Sequence, residues 1–113
     1  DTVGRAVRKV ETLTAARGFK PYMTLNMISP QVMECVINLY FHRGDPERVS
    51  AAQACVREME EYFISEGLHP YRVGLQNMDC ILDGDDTFWQ TVRDLKKVLD
   101  PEGIIDPGKY NLA

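Results

Sequence analysis

Tyr71 and Arg72 stand side by side directly after Pro70, and their side chains form a donor pair: a phenolic hydroxyl and a permanently charged guanidinium. Together they can hold a phenolic oxygen as its anion, each donating a hydrogen bond and the arginine adding charge, which lowers the pKa of the bound phenol. A phenolate pushes electron density toward its para carbon. That eases departure of a hydride from the para α-carbon and leaves a quinone methide, to which water can add. Neighbouring side chains on extended or loop backbone point in different directions, so both reach one ligand only where the backbone edges a cavity. Spacing alone favours a plainer arrangement, a half-buried tyrosine beside an arginine paired with one of the seventeen acidic residues.

Two further residues have the chemistry of a site. Lys109 follows Pro107-Gly108, whose turn makes it project, and its ammonium can support negative charge on a ligand, although such a lysine is also a common surface feature. Glu34 lies in an apolar run and can act as a base toward water or substrate, or be a solvent-facing strand residue. Other conspicuous residues read as structural. Phe88, Trp89 and the methionines 23, 27, 33 and 59 suit core filling, the acidic cluster Asp79, Asp83, Asp85 and Asp86 suits capping and solvation, and His42 suits a turn.

Composition narrows the setting. The 113 residues are 44% hydrophobic, enough for one domain with a modest core. Thirteen basic against seventeen acidic residues, with no basic run, leave no electrostatic footprint for nucleic acid. No apolar run approaches the roughly 18 residues of a membrane span, and a soluble protein is expected, cytoplasmic or periplasmic. Cys35, Cys55 and Cys80 are widely spaced and odd in number, which indicates reduced, mostly buried thiols; with His42 and His69 far apart, no metal is expected. The chain opens at Asp1 already in helical pattern, so it is expected to be cut from a longer polypeptide.

The elements that must position these residues follow from periodicity. Val3, Val7, Val10 and Leu13 share a helical face over 2–17, closed by Gly18. Alternation from Tyr22 to Ile28, the break at Ser29-Pro30 and the apolar run Met33 to His42 predict an antiparallel hairpin, with a buried helix as rival for the second run. Asp45-Pro46-Glu47 starts a helix whose stripe is Val49, Ala52, Val56, Met59 and Phe63, ending at Gly67. Tyr71 to Gln76 reads as a short strand. Asp83 or Asp85 then caps a helix with stripe Phe88, Val92, Leu95 and Leu99. The fold expected is α+β, a small antiparallel sheet with helices packed on one face.

Two segments carry a family resemblance: Gly67-Leu-His-Pro-Tyr-Arg-Val-Gly-Leu-Gln-Asn-Met-Asp79, and the tail Asp100-Pro-Glu-Gly-Ile-Ile-Asp-Pro-Gly-Lys109 one helix downstream. In this order they resemble the C-terminal end of the FAD-linked oxidases of the vanillyl-alcohol oxidase and 4-cresol dehydrogenase (methylhydroxylase) group. There a Gly-x-x-x-Tyr-Arg stretch precedes a helix and an Asp-Pro-x-Gly-Ile-x-x-Pro-Gly-Lys/Arg tail. The tail motif occurs across the wider flavoprotein family; the Tyr71-Arg72 pair narrows it to phenols.

The resemblance implies a single partial domain, 1–113, from the cap (substrate) domain of a two-domain flavoprotein, whose tail 99–113 contacts an FAD-binding domain absent from this chain. Tyr71 and Arg72 become the catalytic pair that binds the phenolate of a 4-cresol, vanillyl alcohol or eugenol type substrate. Arg72 and Lys109 lie near the flavin, where they stabilise negative charge on the reduced cofactor. Glu34 falls where related enzymes often place a substrate-pocket histidine, a departure that leaves the exact substrate open. FAD is expected in the full-length parent and not on this chain alone, which should be inert. The electron acceptor would be oxygen or a cytochrome c subunit, and a homo-oligomer is possible. Two rivals stay open: a flavoprotein for 2-hydroxy acids such as lactate or glycolate, with the arginine clamping a carboxylate, and a non-enzymatic α+β interaction module.

Overall fold

The computed structural model describes residues 1–82, 86–107 and 109. The chain is α+β and divides into two compact units, Asp1–Tyr71 and Arg72–Ala113.

The first unit runs α1 (Thr2–Ala15), β1 (Pro21–Ser29), β2 (Val32–Leu39) and α2 (Pro46–Ser65). Helix α2 begins where its sequence says it should. Asp45 Oδ1 accepts from the backbone N–H of Glu47 and Arg48 at 3.0 and 3.1 Å, and Pro46 takes the first helical position, where no donor is needed. Both helices end on a glycine in the left-handed region, Gly18 at φ 69° and Gly67 at φ 74°. At each, the next residue's N–H reaches back to the last turn, Phe19 to the Thr14 carbonyl at 2.9 Å and Leu68 to that of Phe63 at 2.8 Å.

The hairpin is antiparallel, with Met23 opposite Ile37, Leu25 opposite Cys35, Asn26 opposite Glu34 and Met27 opposite Met33; an irregularity between Met27 and Ser29 shifts the register by the turn. Strand pairing, not the rival helix, is the outcome for the second run, and it stops at Leu39, short of the expected His42. One sheet face meets the helices. Val10 and Leu13 from α1 with Cys55 and Met59 from α2 form the buried cluster, and Met23, Ile37 and Leu39 pack against it from the strands. Cys55, at 0% exposure, is its deepest point, and burial pushes its thiol pKa up while the Arg17 charge opposes.

The same sheet face continues past the helices. Leu25, Met27 and Met33 are 48%, 64% and 45% exposed, and Cys35 is exposed beside them. Met27 and Met33 are therefore not core residues, and the expectation of mostly buried thiols fails for Cys35. The alternating pattern marks which residues share a face; it carries no information on how far along that face the helices reach.

In the second unit the expected strand at 71–76 is absent. Tyr71 and Arg72 form a bend, and Leu75–Cys80 is a 3₁₀ helix, η1, entered from Gly74 in extended conformation, with the Asn77 N–H on the Gly74 carbonyl at 3.0 Å. Extended backbone at Gly74 is the cap of that helix, so local turn chemistry overrides the strand reading. Helix α3 (Thr87–Leu99) is capped by Asp86, whose carboxylate accepts from the Phe88 N–H at 2.6 Å; Asp83 and Asp85, the expected caps, lie outside the described residues. The α3 stripe exists but is not buried: Phe88, Leu95 and Leu99 are exposed, and Phe88 stacks edge-on against Trp89 with centroids 5.0 Å apart. Phe88 is not core filling.

Candidate functional site

The Tyr71-Arg72 pair sits at the division between the two units, Tyr71 closing the first and Arg72 opening the second. Both are exposed, Tyr71 at 75%, so the half-buried tyrosine suggested by spacing is not what the fold provides. Pro70 and the bend at 71–72 keep this backbone out of any regular element, which leaves both side chains accessible to a ligand.

Within the second unit, two stretches line a cleft of about 370 Å³: Val73, Gly74, Leu75 and Met78, immediately after Arg72, and Asp106, Pro107 and Lys109 from the tail. The tail lysine and the segment following the arginine thus share one concavity. Its shape comes from local backbone. Asp106 holds φ at 45°, a left-handed conformation that aspartate tolerates better than most residues, and its carbonyl accepts the Lys109 N–H at 3.0 Å across the turn. Lys109 is exposed at that turn. Four apolar side chains, Val73, Leu75, Met78 and Pro107, line it together with Gly74, the Asp106 carboxylate and the Lys109 ammonium, a mostly apolar wall whose two charges are of opposite sign.

The tail is held by a feature that motif reading passed over. Asp100, only 6% exposed, accepts from the Ile104 N–H at Oδ1 (2.9 Å) and the Ile105 N–H at Oδ2 (3.0 Å) and pairs with Lys96, whose Nζ also donates to the Ile105 carbonyl. One carboxylate therefore fastens Pro101–Ile105 back onto the end of α3. The Lys96 hydrogen bond, followed by the two backbone donors, holds the Asp100 pKa below the ordinary aspartate value against the opposing effect of burial. A carboxylate whose folded pKa is lowered contributes stability that is complete above its unfolded value, about 3.9, and is lost as pH falls through the lower folded value. Amide exchange at Ile104 and Ile105 is therefore expected to accelerate below about pH 4, and Asp100→Asn to abolish that pH step; an unchanged step in the variant would reject the assignment.

Glu34 belongs to the first unit and lies on β2, half-buried, on the sheet face turned away from α1 and α2. Its Oε2 accepts from Asn26 Nδ2 at 3.2 Å across the strands. His42 is a turn residue as expected, its Nδ1 accepting from the Gly44 N–H at 3.2 Å. Among the described residues no group of His, Cys, Asp and Glu is placed to hold a metal ion, and no helix is long and apolar enough to cross a membrane. Asp100 and Asp106 are the contributors to this region that residue type alone did not reveal. Their signal was positional, an aspartate directly before a proline in each case.

Comparison with known proteins gives two distant relatives. The chain is 28% identical over 109 residues, 96% of its length, to the 1'-carboxy-chondrochloren decarboxylase of Chondromyces crocatus. It is 28% identical over 92 residues, 80% of its length, to the 4-cresol dehydrogenase [hydroxylating] flavoprotein subunit of Pseudomonas putida. It spans about a fifth of each relative, 20% and 18% respectively. No family model matches the chain, and no solved structure was found to match it.

Proposed function

We propose that this chain is the C-terminal, cap-domain part of a flavin-dependent oxidoreductase acting on para-substituted phenols. The observation that carries this reading is its 28% identity, across 80% of its length, to a 4-cresol dehydrogenase flavoprotein subunit. The exposed Tyr71-Arg72 bend and the cleft shared by Lys109 and the segment after Arg72 support it.

In this reading Tyr71 donates a hydrogen bond to the phenolic oxygen and Arg72 supplies the charge that keeps it ionised, so the substrate enters the reaction as its phenolate. The FAD, held by a domain this chain does not contain, supplies the hydride acceptor. Arg72 and Lys109 offset negative charge that the cofactor gains. The same reading gives Glu34 the part of the carboxylate that takes a proton from water adding to the quinone methide. In this reading the exposed apolar stripe of α3 and the described part of the tail, 99–107, belong to the surface that meets the cofactor domain. Electrons pass on to oxygen or to a cytochrome partner.

The test is spectroscopic. The full-length gene product should purify with a flavin absorption spectrum that bleaches anaerobically on adding 4-cresol or vanillyl alcohol. Bleaching with lactate alone would replace the phenol reading by a 2-hydroxy-acid one, and a protein without flavin would overturn both.

A further inference from the structure

A second concavity lies in the first unit, at the end of the sheet nearest the helix termini. It has a volume of about 390 Å³, within the range of small-molecule sites, and two aromatic pairs wall it. Phe19 and Phe41 meet at 6.2 Å with planes at 64°, and Tyr22 and Tyr40 at 5.0 Å with planes at 86°. Edge-to-face packing of this kind fixes the rings that line the cleft.

Two cations sit on those rings. The Arg48 guanidinium lies 5.1 Å from the Phe19 centroid, and Lys20 Nζ lies 5.9 Å from that of Tyr22. Arg48 is fixed from behind, its Nη1 donating to the Arg17 carbonyl at 3.0 Å, which leaves Nη2 for a ligand. The Gly44 N–H on His42 Nδ1 makes that nitrogen the acceptor, so Nε2 carries the ring proton and is a donor. The lining carboxylate, Asp45, is engaged with two backbone donors at the start of α2. The cleft is thus rich in donors and positive charge on a chain whose net charge is -4.

We propose that this cleft is a binding site for a small aromatic carboxylate, its ring against the tyrosine and phenylalanine walls and its carboxylate between Lys20 and Arg48. The site is separate from Tyr71 and Arg72, so it stands or falls apart from the function proposed above.

The probe is benzoate, titrated into the 113-residue chain while backbone amide resonances are followed by NMR. Shifts centred on Phe19, Lys20, Tyr22 and Phe41 are expected, half-saturating at about 1 mM. Lys20→Met and Arg48→Gln should each weaken binding roughly three- to fivefold, the scale of a partly exposed charge contact, with circular dichroism confirming that the variants remain folded. Acetate should be at least about tenfold weaker and benzylamine should leave these resonances unmoved. Acetate equal to benzoate, benzylamine equal to benzoate, variants that bind as well as the parent chain, or no shifts at these residues would each overturn the proposal.

Discussion

In the full-length protein, Arg72→Ala is expected to slow anaerobic reduction of the flavin by phenol about 100- to 1000-fold, the scale on which loss of one charge-stabilising group at a reacting centre is felt. The guanidinium is the group at the 71–72 bend that carries a permanent positive charge, and alanine leaves the phenolic oxygen with the Tyr71 hydroxyl alone. A bound phenol then stays closer to its solution pKa, and less of it is ionised when hydride must leave. Raising the pH should restore part of the lost rate, because solvent then ionises the phenol that the protein no longer does. Stopped-flow reduction of wild type and variant across pH separates this from a folding defect, which pH would not repair. Equal reduction rates in the two proteins would remove Arg72 from the chemistry.

The second large effect concerns the small core of the first unit. Leu13 is 6% exposed and packs with Val10, Cys55 and Met59, so Leu13→Ala removes three carbons from a cluster with little spare material to collapse into the gap. A loss of about 2–4 kcal/mol in unfolding free energy is expected, a large fraction of the total for a chain this size. Val36→Ala, at a 37% exposed position on the other sheet face, is the matched control and should cost less than about 1 kcal/mol. Urea denaturation followed by circular dichroism gives both numbers, and equal costs would mean that the α1–α2 cluster is not what holds the unit together.

Sequence reading succeeded where a local signal and a tertiary one agreed. Asp45-Pro46 marks the start of α2 and supplies its cap, the three-four spacing through Met59 and Phe63 does find the core, and Cys55, its most buried residue, is one of the thiols expected to be buried, although it lies outside the stripe. It failed where periodicity had to stand in for coverage. The stripes of Leu25-Met27-Met33 and of Phe88-Leu95-Leu99 are real patterns, yet each remains open to solvent here because a pattern names a face and not its neighbour. The candidate site was legible as residue types and not as geometry. Tyr71, Arg72 and Lys109 are chemically conspicuous, whereas the cleft lined by Val73 and Met78, the left-handed Asp106 and the fastening by Asp100 depend on backbone turns that no single residue announces.

The hairpin has a bearing on how this chain reaches its structure. Strands β1 and β2 are joined by the two residues Pro30 and Gln31, so they can pair on the microsecond scale from neighbouring chain alone. The α1–α2 cluster has to wait for the ends of the first unit to find one another, a slower closure. For that interval the whole Met23–Met27 face is bare, and after it the outer half still is. Both outer strand edges also keep unpaired backbone groups within the described sheet. Yield on refolding should therefore fall with chain concentration, and Lys in place of Met27, a charge on the ribbon's open end, is the change that would protect it at least expense to the native state.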